Sequence, residues 1–216
     1  MMNRWGPVLF GVATNVVTIL GVLVWGWPPA NVFLLFFGEN LILGVVTFVR
    51  LVTLPEPNFG LAAFFCLHYG IFAVVHGVFT AMTVIGLDPV FDFWWLGLPL
   101  IFIAIRYVVE LITGWFLGGG RLRGTPPNQV MFSPYPRVVV LHLAVILGSQ
   151  YSEGTGTGAD IINGAHDIFS SIGLDLDRGE TLVIMLMLIK TVVDVVTTVR
   201  QTGMDSGRSH AQSRAQ

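Results

Sequence analysis

Apolar residues fill most of this chain in stretches of about twenty, each closed by proline, glycine or charge. Six helical spans can be drawn, at about 7–27, 30–52, 59–87, 93–117, 136–151 and 180–200. The fifth is the shortest, and Pro136 suits its first turn, because proline there sacrifices no hydrogen bond. Trp5, Trp25, Trp27, Trp94, Trp95, Trp115, Tyr135 and Tyr151 all fall near proposed span ends, where amphipathic rings sit at a membrane interface. The loop 152–179 opens on a Gly-Thr-Gly-Thr-Gly stretch and then recovers helical spacing at Ile161, Ile162, Ala165, Ile168 and Phe169. A short amphipathic helix over Ala159–Ile172 is expected there, lying over the mouth of the bundle. His166 and Asp167 belong to it and read as solvated.

Composition agrees with the pattern. The chain has 216 residues, 54% of them hydrophobic and 11% charged, with a mean hydropathy of +0.75. The expected fold is therefore all-α, a polytopic membrane helix bundle in one domain over 1–201, followed by a polar disordered tail at 202–216. The lipid bilayer is the expected partner, with a second copy or a membrane subunit as a further one and no nucleic acid. Cys66 stands alone in an apolar span, which excludes a disulfide framework and reads as a small buried hydrophobe. The first span reads as a retained helix rather than a cleaved signal. Six spans put both termini on one side. Arg4, Arg50, Arg121, Arg123, Arg137, Arg200, Arg208 and Arg214 share that side, whereas the opposite loops hold Arg178 and most of the acids. By the positive-inside rule both termini are cytoplasmic.

Charge changes the picture most where it is least expected. Lys190, the sole lysine, lies inside the last apolar run with Asp194 four positions on, so both share one helix face. Buried charge in hydrocarbon is expensive and marks a functional position by default. Counting about 1.5 Å per residue from the expected ends, Glu39, His68, Arg106, Glu110, His142, Lys190 and Asp194 fall in one layer, about 8–17 Å from the inner face. Lys190/Asp194 and Arg106/Glu110 can each form an i,i+4 pair. That leaves Glu39 unmatched and the layer at a net −1, to be balanced by a proton on Glu39, a histidinium or a bound cation. His76 lies about 12 Å along the same helix from His68 and shares a face with Tyr69, Thr80 and Thr83, forming a second polar position nearer the outside.

Three readings follow from that layer. In the first, His68 and His142 ligate a transition metal or are axial ligands of haem, with Glu39 or Asp194 as oxygen ligand or orienting group and Lys190 holding Asp194. Phe33–Phe37 and Phe64–Phe65 would then cover the macrocycle. No CxxCH, HExxH or closed zinc motif accompanies these residues. In the second, a relay from His76 through Glu39 to Asp194 moves protons or ions. In the third, the polar groups fix helix register or face a partner subunit. Asn15, Asn40 and Ser149 read as hydrogen-bonding rather than catalytic residues.

Certain segments are distinctive: Gly38-Glu39-Asn40, the run from Phe64 to Phe72 containing His68-Tyr69-Gly70, then His76-Gly77-Val78-Phe79, His142, and Leu188 to Asp194. In these the chain resembles DUF6498, a prokaryotic family of small integral membrane proteins, over Ala30 to roughly Arg200. The resemblance implies a polytopic fold in a prokaryotic cell membrane and no particular activity. It also implies a histidine near the end of the last helix, where this chain has Thr198 or Arg200.

Overall fold

The computed structural model describes residues 6–87, 89–117 and 125–214. Arg4, Trp5, Asp88, Arg121 and Arg123, used in the sequence reading, lie outside them. The described chain is all-α. Helix α1 spans Gly6–Trp25, and α2 spans Pro29–Val52 with a proline in its first turn and Arg50 in its last. Asn58 caps α3, Phe59–Ile85, by accepting from the Leu61 amide at 2.9 Å. The fourth rod, Phe93–Leu117, is the α-helix α4, Leu98–Glu110, flanked by π-helical turns, and Asp92 caps its start through the Trp94 amide.

The short α5, Pro127–Phe132, runs into α6, Tyr135–Glu153. Together they give an apolar rod of 25 residues, Pro127–Tyr151. The fifth helix therefore starts a full two turns before the expected Pro136, because Pro127 opens a turn that the Ser133–Pro134 break only interrupts. Gly154 ends α6 in the left-handed region, φ 66°, where a side chain would be strained. Helix α7, Gly156–Ser171, is the expected surface helix. It buries Ile162 in the main core and leaves Ile161 and Ile168 exposed. The Asp177 and Glu180 side chains each accept from the other residue's amide, a reciprocal cap at the start of α8, Arg178–Arg214. The polar tail expected to be disordered continues this helix as far as Arg214, since elongation adds one hydrogen bond per residue and no proline interrupts it.

Helix α2 is the centre of the packing, touching α3, α4, α5, α6 and α8, while α1 lies along α8 and α6 along α3 and α8. Close approach depends on glycine. A Cβ on Gly148 of α6 would come within 2.7 Å of the Phe33 ring and 2.8 Å of Thr83, and one on Gly44 within 2.5 Å of Tyr69. Helix α3 is turned inside out relative to a helix in a water-soluble protein. Its buried side carries Tyr69, His76, Thr80 and Thr83, while Leu67, Ile71, Val74, Val78 and Met82 are exposed. Cys66 lies on that exposed side, which corrects the expectation of a buried thiol. Four described rods, Pro29–Val52, Phe59–Ile85, Phe93–Leu117 and Pro127–Tyr151, are long and apolar enough to cross a membrane.

The glycine contacts make a specific prediction. Gly148→Val should destabilise the bundle by about 1–3 kcal/mol, as overpacked cores do. Gly70→Ala, on the same type of apolar helix but with nothing near its added Cβ, should be nearly neutral. Equilibrium unfolding in a detergent titration compares them.

Candidate functional site

The polar residues of α1, α2, α4, α6 and α8 meet at one point. Lys190 Nζ donates to Asp194 Oδ2 at 2.7 Å and to Asn15 Oδ1 at 3.1 Å, and it forms an ion pair with Glu39 Oε2 at 3.2 Å. Three oxygens thus face the three N–H donors of the ammonium group. The amide of Asn15 donates to Thr191 Oγ1 and Asp194 Oδ2 at 3.1 and 3.3 Å. Tyr107 donates its hydroxyl to Glu39 Oε1 at 2.8 Å. On the far side of Asp194, Arg137 Nε donates to Oδ1 at 2.9 Å. Asn15, Glu39, Tyr107, Lys190 and Asp194 are all buried. Two cations, Lys190 and Arg137, oppose two carboxylates, Glu39 and Asp194, so the cluster is neutral and each charge is directly hydrogen-bonded or ion-paired.

The expected Lys190/Asp194 pair is therefore present and is part of something larger. Glu39, expected to lack a partner, has two. The missing positive charge is Arg137, read from the sequence as an arginine at the cytoplasmic end of the fifth span, whose start was placed at Pro136. The net negative charge of the expected layer was the available signal that another cation belonged there. Asn15 and Tyr107 carry no such signal, as a polar side chain at helical spacing does not reveal which neighbour it meets. Glu110 is paired not with Arg106, as expected, but with Arg50, read as an arginine at the cytoplasmic end of the second span, at 3.0 Å. The Arg106 guanidinium lies over the Tyr107 ring, 5.4 Å from its centroid.

The histidines are distributed differently from the expectation. His68 Nδ1 is 2.8 Å from the Tyr135 hydroxyl, whereas His142 Nδ1 is 3.1 Å from His76 Nε2. His68 and His142 thus have separate partners and do not converge on one centre. The cause is the earlier start of the fifth rod, which carries His142 further along the bundle to the level of His76. Since α3 and α6 run parallel, the seven residues from Tyr135 to His142 match the eight from His68 to His76, about 11 and 12 Å. His76 Nδ1 lies 2.8 Å from the Phe72 carbonyl. A carbonyl only accepts, so Nδ1 carries the proton; with both rings neutral, His142 then donates through Nδ1 to His76 Nε2. His76 is buried and His142 exposed.

Among the described residues no group of three or more His, Cys, Asp and Glu side chains is placed to hold a metal ion. The aromatic residues expected to cover a haem do not form one surface. Phe33 and Phe36 are in one core cluster, Phe65 is in another, and Phe64 is exposed. Ser149 donates to the Ile146 carbonyl and Asn40 to the Phe36 carbonyl, as their expected hydrogen-bonding roles require. His166 lies 3.6 Å from exposed Asp167 on α7.

Two cavities adjoin the cluster, and a third lies beyond them at His76. The largest, about 370 Å³, lies among α1, α2, α4 and α8 with Asn15, Glu39 and Lys190 among its lining residues. A second, about 10 Å³, is lined by Glu39, Asn40, Arg137 and Lys190, and a third of the same size by Asn40, Tyr69 and His76. Each small cavity has the volume of roughly one water molecule. Asn40 lines both, with its side-chain oxygen buried and without a hydrogen-bond partner.

The chain matches the family of unknown function DUF6498 over residues 2–213. It belongs to that family. The match takes in the whole cluster, including Asn15 and Tyr107, and the His76–His142 pair. No curated protein and no solved structure matches the chain.

The neutrality of the cluster can be tested in this DUF6498 member by changing charges singly and together. Lys190→Met, which leaves Glu39 and Asp194 with Arg137 alone, should cost about 3–5 kcal/mol of stability. Adding Glu39→Gln restores the charge balance and should recover most of that loss. A double-mutant cycle by detergent unfolding reads the coupling.

Proposed function

We propose that this protein is a six-span integral membrane protein, with both termini on the cytoplasmic side, that moves protons through the Glu39–Lys190–Asp194 cluster. The membrane setting is supported by the inverted α3 and by the four long apolar rods. The observation that carries the proton reading is Lys190 bridging two carboxylates from different helices, at 3.2 and 2.7 Å. A bridge of this kind is an exchangeable arrangement. When Glu39 takes a proton from the large cavity, its attraction for the ammonium falls and Lys190 is held by Asp194 and Asn15. Loss of that proton by Glu39 on the opposite side restores the bridge, and the cluster returns to neutrality without net change.

The exit has a chemical basis as well. Between Glu39 and His76 lie the two water-sized cavities, which share Asn40 as a lining residue, and His76 is hydrogen-bonded to His142. Imidazole can accept a proton at one nitrogen and release another from the other, so the pair suits a relay. Tyr107, Arg137, Lys190 and Asp194 remain as fixed partners that keep the path charge-balanced. The metal or haem reading lacks the paired His68 and His142 on which it was based.

Proteoliposomes loaded with a pH-sensitive dye and given a pH step measure the activity. Wild-type protein should collapse the gradient faster than empty vesicles, and Glu39→Gln should slow it by about 100-fold, the scale of a lost proton-transfer group. His76→Phe should also slow it. A rate equal to that of empty vesicles, or one unaffected by Glu39→Gln, would refute the proposal.

A further inference from the structure

The large cavity has a composition of its own. Around its walls stand Trp27, Leu35, Phe36, Trp94, Leu98 and Phe102, and its polar end is formed by Asn15, Glu39 and Lys190. Trp27 lies over Gly21, where a Cβ would come within 2.6 Å of the indole. An apolar chamber of about 370 Å³ with a few convergent polar groups is the ordinary form of a small-molecule site.

The hydrogen-bond inventory of the polar end restricts the ligand. Lys190 has three N–H groups and three oxygen partners. Both N–H groups of Asn15 are donated, to Thr191 and Asp194. Asn15 has no donor left for a ligand, while Lys190 donates two hydrogen bonds and keeps one N–H beside Glu39, which it meets as an ion pair. The Glu39 carboxylate has about four lone-pair directions, of which Tyr107 occupies one by a hydrogen bond, with Lys190 beside the other oxygen as an ion pair. The unused capacity at this end is therefore the acceptor capacity of Glu39 with one N–H of Lys190 beside it, and a hydroxyl, donor and acceptor at once, matches both. Charge restricts it further. Since Glu39 and Asp194 are already balanced by Lys190 and Arg137, an ammonium or carboxylate head would leave a net charge in an apolar surrounding, whereas a hydroxyl would not.

We infer that the cavity among α1, α2, α4 and α8 binds a neutral hydrophobic molecule bearing a hydroxyl group, of the alkylphenol or hydrophobic alcohol class, with the hydroxyl donating to Glu39. The aromatic walls take the ring or chain, and the carboxylate fixes the head. A hydroxyl donating to a carboxylate makes a charge-assisted bond, stronger than one between neutral groups. An ether of the same shape cannot make it. The inference goes beyond proton movement and does not require it.

Equilibrium dialysis of radiolabelled 4-octylphenol and its methyl ether against the protein in lipid nanodiscs tests this, with empty nanodiscs giving the partition background. The phenol should bind saturably and about tenfold or more tightly than the ether, the effect of one hydrogen bond to a charged group. Glu39→Gln should reduce that preference to near parity. Ala13→Phe and Leu98→Trp, which fill the cavity from two different helices, should each abolish saturable binding; both positions line it. His76→Phe separates the two proposals, because it slows proton flux and leaves phenol binding unchanged. Equal affinity for phenol and ether, or binding that survives both cavity-filling changes, would overturn the assignment and identify the chamber as a space for lipid chains.

Discussion

The interior of this bundle depends on the requirement that a charge withdrawn from water be balanced and hydrogen-bonded. Lys190 satisfies it with three oxygens from α1, α2 and α8, and Asp194 extends it to α6 through Arg137. Removing one participant would leave its partner buried and uncompensated, which in protein interiors costs more than the intact pair contributes. The cluster thus restricts the relative positions of four helices whose apolar surfaces would tolerate many registers. Tyr107 brings in the fourth rod by the same rule.

Glycine provides the complementary constraint. Phe33 against Gly148 and Tyr69 against Gly44 allow α2 to approach α6 and α3 closely enough for short polar side chains to meet. Without that approach, Tyr69 could not reach the Asn40 carbonyl at 2.8 Å, nor His76 reach His142. Packing and polar chemistry are therefore not separate layers of this fold. The small residues set the spacing, and the hydrogen bonds use it.

Much of this was legible in the sequence. The helical class followed from the apolar run lengths, the α7 surface helix from its spacing, and the Lys190–Asp194 pair from its i,i+4 separation. The buried face of α3 was readable in the same way, because Tyr69, His76, Thr80 and Thr83 recur on one side. The layer that joins Glu39 to Lys190 and Asp194 was legible too, and what failed was the placing of the fifth rod against its neighbours. A start placed nine residues late on the fifth rod moved Arg137 out of the interior and set His142 level with His68 instead of His76. Helical periodicity gives the direction of a side chain around its own axis, but the register of one helix against another is set by contacts with a neighbour, which one sequence does not show. Cys66 failed for a related reason, since apolar surroundings along the chain occur equally on the outward face of such a helix.

Helix α8 has 37 residues, about 55 Å of rise, against a hydrocarbon thickness of about 30 Å. Its first turn is fixed by the reciprocal Asp177–Glu180 cap, and Lys190 and Asp194 secure its middle. The stretch after Arg200 extends the axis by about 20 Å. Mechanically this is a lever with its fulcrum at the charge cluster. A tilt of 10° about Lys190 would be a small change at that point, yet it would carry the far end several ångströms sideways, making the state of one buried ion bridge visible at a distance from the bundle.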